Sequence, residues 1–134
     1  MTLRYMLDTN ICIFVMKGRG PGLAARFERE AAHLCISSIT LAELDYGVEK
    51  SEARSRNRGA LDAFAARLAV LDFDCAAAAA YGALRAGLER DGRPIGPYDL
   101  LIAAHATSRG LAVVTNNRRE FGRAPGVHVE DWSV

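Results

Sequence analysis

The sequence is poor in the residues that usually announce a chemistry. Its three cysteines, Cys12, Cys35 and Cys75, are odd in number and form neither a CxxC nor a short Cys/His cluster. That excludes a disulfide framework and a thiolate zinc site, and leaves reduced core thiols. The histidines, His33, His105 and His128, are scattered. An excess of charge is missing too: 17 Lys and Arg face 16 Asp and Glu, for a net charge of +1. A protein that grips nucleic acid or an anionic membrane through a broad basic face carries a larger surplus. No stretch approaches the roughly 20 apolar residues that span a bilayer. The opening MTLRYMLDTNICIF interrupts its apolar run with an acid and offers no small-residue cleavage site, so neither a leader nor a membrane segment is expected. The expected compartment is the cytoplasm. No GxSxG elbow or Cys/His nucleophile is present, and Gly18-Arg19-Gly20-Pro21-Gly22 lacks the Gly-Lys-Ser/Thr ending of a phosphate-binding loop.

What is present is ordinary globular material. Half of the residues are hydrophobic and a quarter charged, without an internal repeat or a low-complexity linker. The 134 residues suit a single domain over 1–134. Short apolar runs alternate with longer helical ones. Strands are predicted at Arg4–Leu7, His33–Ile36, Val70–Phe73, Leu111–Thr115 and Val127–Glu130. Helices are predicted at Gly22–Glu30, Ile39–Lys50, Ser55–Arg67, Asp74–Arg90 and Pro97–Arg109, with a further one starting near Asn10. Gly110 is the natural stop of the helix opened by Pro97. Strands separated by helices of this length imply parallel pairing and an α/β sandwich, in which ligands bind beyond the carboxyl ends of the strands.

Those ends carry oxygen. Asp8, Thr9 and Asn10 follow the first strand, and Ser37 and Ser38 follow the second, leading to Glu43. Asn116, Asn117 and Glu120 follow the fourth, and Asp99 lies in the first turn after Pro97. Each has a plain reading as well. Asp8 can cap a helix, Thr40 to Glu43 fits a capping box, and Asp99 can complement a helix dipole. Three carboxylates at one sheet edge nevertheless need compensation by raised pKa values or by a cation. Oxygen donors without nitrogen or sulfur favour Mg²⁺ or Mn²⁺, and such a site suits hydrolysis of phosphodiesters by an activated water.

The motifs Met6-Leu7-Asp8-Thr9-Asn10-Ile11-Cys12-Ile13, Ile36 to Leu44 (ISSITLAEL), Gly92 to Asp99 (GRPIGPYD), Val114 to Phe121 (VTNNRREF) and Glu130-Asp131-Trp132 resemble, in order and spacing, the PIN-domain ribonucleases. Within them they resemble the VapC toxins of bacterial toxin–antitoxin pairs. The likeness covers nearly the whole chain. It implies a PIN-like three-layer α/β sandwich with a mainly parallel five-stranded sheet flanked by helices. It implies an acidic Mg²⁺ pocket in which Asp8, Glu43 and Asp99 are catalytic, with Asp8 and Asp99 as metal ligands. A fourth acid is implied after the penultimate strand; here that position is Asn117, and Glu120, a short turn later, is the candidate substitute, with Asn116 beside it. The resemblance further implies RNA hydrolysis, a tRNA anticodon loop as substrate with initiator tRNA preferred, a homodimer, and inhibition by a VapB-like antitoxin. The alternative is a non-catalytic partner of a DNA-binding antitoxin in a transcription-regulating complex.

Among the cations, Arg93, Arg118 and Arg119 neighbour the candidate acids, as do Arg85, Arg90 and Arg123. With Tyr98 they are candidates for contact with RNA. Lys50, Arg54, Arg56 and Arg58 form a second group, and Trp132 reads as a C-terminal packing anchor.

Overall fold

A computed structural model describes residues 2–133. The strands are β1 (Tyr5–Leu7), β2 (Leu34–Ser37), β3 (Ala69–Leu71), β4 (Ala112–Val114) and β5 (Val129–Glu130). The helices are α1 (Thr9–Met16), α2 (Pro21–Glu30), α3 (Ser38–Glu49), α4 (Arg54–Ala65), α5 (Cys75–Arg90), α6 (Pro97–Ser108) and α7 (Arg118–Phe121), with a 3₁₀ turn at Ala31–His33. The sheet order is β3-β2-β1-β4-β5 and every pairing is parallel. The expected mainly parallel sheet is therefore wholly parallel.

Why the sheet has two covered faces follows from its alternation. Met6, Cys35 and Val113 share one apolar cluster with Ile102, Ala103 and Phe121. Leu7, Ile36 and Val114, each one residue further, share the other with Leu23, Phe27, Leu44 and Leu61. Side chains of a strand point alternately to opposite faces, so three strands that are apolar at consecutive positions must be buried twice. Helices α1 to α4 supply the cover on one face and α6 with α7 on the other. The next position in each central strand returns to the α6 face. Register places Met6 opposite both Cys35 and Val113, so Ser37, Asp8 and Thr115 continue as one row across β2, β1 and β4.

The chain runs from β1 outward to β3 and then returns to the far side of β1 as β4. The sheet's topological switch point thus lies between β1 and β4, where open α/β sheets bind ligands. Asp8 and Thr115 flank it.

Most boundaries moved by a residue or two, and three differences are larger. β3 ends at Leu71 because the Phe73 N–H donates to the Ser38 hydroxyl at 3.1 Å rather than to a strand neighbour. β5 is only Val129–Glu130, and α7 has no counterpart among the expected elements. Asp8 does cap α1, its Oδ1 accepting from the Ile11 N–H at 2.8 Å. The Thr40–Glu43 capping box is not formed. Ser37 is the cap of α3 and accepts from the Ile39 N–H, so Thr40 lies inside the helix. Gly110, at φ +68°, closes α6 as expected. Trp132 is buried and meets Tyr5 edge-on at 4.9 Å, with the Arg26 guanidinium over its ring at 4.6 Å. All three cysteines are free thiols; Cys12 and Cys35 are in the core, but Cys75 is exposed. Among the described residues no helix is long and apolar enough to cross a membrane.

Candidate active site

Asp8 leaves the end of β1 with only 3% of its surface exposed. Its second oxygen accepts from the Thr115 hydroxyl, and Thr115 Oγ1 in turn accepts from the Asn117 N–H at 2.8 Å. Both oxygens of this buried carboxylate are thus held by donors, one from α1 and one from the residue that follows β4. Burial still dominates and lifts the Asp8 carboxyl from 3.8 to about 6, with the charges of Glu43 and Asp131 adding to the rise. Replacing Thr115 by Val keeps the shape and removes the hydroxyl. It strands one Asp8 oxygen and the Asn117 N–H, at an expected cost of about 1–3 kcal/mol. Urea unfolding at pH 8 checks this, with Thr115→Ser expected to retain most of the stability; equal stability of Thr115→Val and the parent would refute it.

Asp99 enters from the first turn of α6. Burial, then the charges of Glu120, Asp8 and Glu43, raise its carboxyl from 3.8 to about 6. Asp99 and Glu120 are thus apposed carboxyls, Asp99 held above and Glu120 below the ordinary carboxylate range. The Gly96 N–H is the main cause holding Glu120 below the ordinary carboxylate range, and the Asn117 amide donates to its other oxygen at 2.9 Å. A Cβ at position 96 would stand 3.1 Å from that Glu120 oxygen and 3.7 Å from Asp99 Oδ2. Glycine there lets the backbone reach both acids. Glu43, on the second turn of α3, accepts from the Thr9 hydroxyl at 2.6 Å.

The structure therefore brings Asp8, Glu43, Asp99 and Glu120 to one edge of the sheet. Asn117 joins them as a connector: its backbone bonds Thr115 and its side chain bonds Glu120. Asn116 is exposed on the turn. Sequence reasoning placed Thr9 at the strand end without giving it a role, and assigned no site role to Gly96, Thr115 or Asp131. The rule that ligands gather beyond strand ends would have found Thr115 and Asp131, which directly follow β4 and β5.

All the ligand donors here are oxygens, and the neighbouring acids add to the raised pKa values of Asp8 and Asp99. Both observations fit a hard divalent cation such as Mg²⁺ or Mn²⁺. Among the described residues no three His, Cys, Asp or Glu side chains already close around one point at ligand spacing. The acids are apposed instead.

Around this edge Arg93, Arg118, Arg119 and Tyr98 are exposed, Tyr98 by 57%. Among the described residues no ion pair engages those three arginines. Others are committed elsewhere. Arg58 pairs with Asp45 at 2.6 Å, Arg85 with Glu89 at 3.2 Å, and Arg123 donates to the Pro94 carbonyl.

A parallel α/β domain with acids gathered at its switch point is the architecture of a PIN domain, and the PIN-domain family model matches residues 5–127. The chain belongs to this family, as a VapC-type endonuclease. It is 53% identical over 131 residues to the tRNA(fMet)-specific endonuclease VapC of Shigella flexneri, covering 98% of this chain and 99% of that protein. It is 55% identical over 130 residues to the protein of the same description from Salmonella typhimurium, covering 97% and 98%. The fold superposes on VapC of a DNA-bound VapBC complex from Salmonella typhimurium with a TM-score of 0.94, at 55% identity, over 97% of this chain and 98% of that one.

Proposed function

We propose that this protein is a Mg²⁺-dependent endoribonuclease that cuts a tRNA anticodon loop, preferentially that of initiator tRNA. The reading includes restraint by a VapB-like antitoxin, a homodimeric state and action in the cytoplasm. The observation that carries it is the convergence of Asp8, Glu43, Asp99 and Glu120 beside the switch point, in a chain more than half identical to tRNA(fMet)-specific endonucleases. Asp8 and Asp99 would hold the ion, and Mn²⁺ fits the same donors. The bound cation would offset the carboxylate charge, acidify water and neutralise the scissile phosphate. Glu43, oriented by Thr9, would align the attacking water and accept its proton. Glu120, held by Gly96 and Asn117, would keep Asp99 in place. Arg93, Arg118 and Arg119 would position phosphates while Tyr98 offers a stacking face. Net charge near zero then reflects an acidic centre with a basic surround.

The test is sequencing of the RNA ends produced by purified, partner-free protein from a tRNA panel, with Mg²⁺ and with EDTA. One dominant cut in the initiator anticodon loop, lost in EDTA, is the expected result. No metal-dependent cut in any tRNA would instead favour a non-catalytic antitoxin partner.

A further inference from the structure

His105 is completely buried, yet it is a histidine in a helix otherwise packed through Ile102, Ala103 and Ala106. Its Nδ1 lies 2.8 Å from Ser37 Oγ. That oxygen also accepts from the Ile39 N–H as the cap of α3, and the buried hydroxyl's own proton has no other acceptor among the described residues, so it goes to the imidazole. Nδ1 is then the acceptor and Nε2 carries the ring's proton. Nε2 has no partner, and the nearest aromatic neighbour, Phe73, meets the ring edge-on at 5.3 Å. An apolar side chain would fill this place without burying an unsatisfied ring N–H, but would leave the Ser37 hydroxyl without its acceptor. A buried polar group with an unsatisfied atom calls for a reason beyond packing.

The reason lies in the row of strand ends. Ser37, Asp8 and Thr115 are adjacent at the ends of β2, β1 and β4, and Ser37 meets α6 through His105. The same α6 that carries His105 carries Asp99 two turns earlier. The His105–Ser37 bond is therefore a polar tether from the Asp99 helix to the row that holds Asp8, and Ser37 also starts the helix that carries Glu43. Apolar contacts alone let a helix slide over a sheet, whereas one directional bond sets its register.

Building on the nuclease reading above, we infer that His105 is a positioning residue: through Ser37 it sets the separation of Asp8 and Asp99, and so the affinity for the divalent ion.

Two variants separate this from a packing role. His105→Asn keeps an acceptor where Nδ1 stands; His105→Gln places its amide one bond further and leaves Ser37 without that acceptor. Mn²⁺ binding by titration, kcat and KM on the cleaved tRNA, melting temperature, and crystal structures of both variants are the readouts. His105→Asn is expected to bind Mn²⁺ and cleave within about threefold of the parent. His105→Gln is expected to bind Mn²⁺ about 10-fold or more weakly and lose a similar factor in kcat with KM unchanged, the lower end of what displaced metal ligands cost. Its crystal structure should show a changed Asp8–Asp99 distance. Ser37→Ala should reproduce the loss should His105→Gln fail to fold. Equal losses of melting temperature with unchanged Mn²⁺ affinity and unchanged Asp8–Asp99 distance would overturn the inference. If the parent cuts no RNA, the nuclease reading fails, and the Mn²⁺ affinities and crystal distances still decide the role of His105.

Discussion

Asp8→Asn is expected to lower metal-dependent RNA cleavage more than about 100-fold while making the metal-free protein more stable at pH 8. Both effects come from one buried charge. The carboxylate is what a divalent ion would bind, and the amide cannot replace that charge. The fold loses little, because Asn is as good an N-cap as Asp and can still accept from the Ile11 N–H. What it sheds is the penalty of ionising a carboxyl whose pKa is lifted to about 6. That lift, from 3.8 to about 6, corresponds to about 3 kcal/mol at high pH. The amide must reverse its bond with Thr115, which costs about 1 kcal/mol. The net gain is therefore about 1–2 kcal/mol. Cleavage assays and urea unfolding in EDTA check the pair. Retained cleavage would remove Asp8 from the site, and a variant less stable than the parent at pH 8 would contradict the buried-charge account.

The metal-free protein is also expected to lose stability as pH rises from about 4 to 7, and divalent ions are expected to restore it. Asp8 and Asp99 both have folded pKa values raised to about 6. A raised folded pKa means that the folded state holds its proton more tightly than the unfolded chain. That contribution is fully present below the unfolded value near 4 and is lost as pH passes 6. Glu120 acts in the opposite sense: its lowered pKa contributes above about 4.5 and is lost only on further acidification. The two windows are thus separable. Adding Mg²⁺ or Mn²⁺ should stabilise strongly at pH 7.5, where the acids are ionised, and weakly at pH 5, where protons compete. Thermal melts at both pH values, with EDTA or with the ion, read this directly. The Asp8→Asn protein should show a shallower fall. Equal stabilisation by the ion at pH 5 and pH 7.5 would count against coordination by these carboxylates.

Much of this was legible in the chain. The run Tyr5-Met6-Leu7 is apolar at consecutive positions, which only a strand covered on both faces tolerates, and helices of ten or more residues between such runs force parallel pairing. Asp8, Glu43 and Asp99 were recognisable because each stands just after a strand or in the early turns of a helix. Local patterns also misled. Thr40 and Glu43 have capping-box spacing, but Ser37 sits one turn earlier, where the strand ends, and takes the cap. Arg58 and Arg85 read as free cations until their helices brought Asp45 and Glu89 within reach.

The sequence alone determined the element order, the parallel sheet and which acids follow which strands, because these depend on periodicity and on neighbours within a few residues. Tertiary structure alone decided the rest. It placed Ser37, Asp8 and Thr115 in one row and gave Glu120 its partners Gly96 and Asn117. It also turned His105 from a scattered histidine into a tether between α6 and the sheet. Those relations join residues up to 107 positions apart. They follow from strand register and helix packing, which no local pattern encodes.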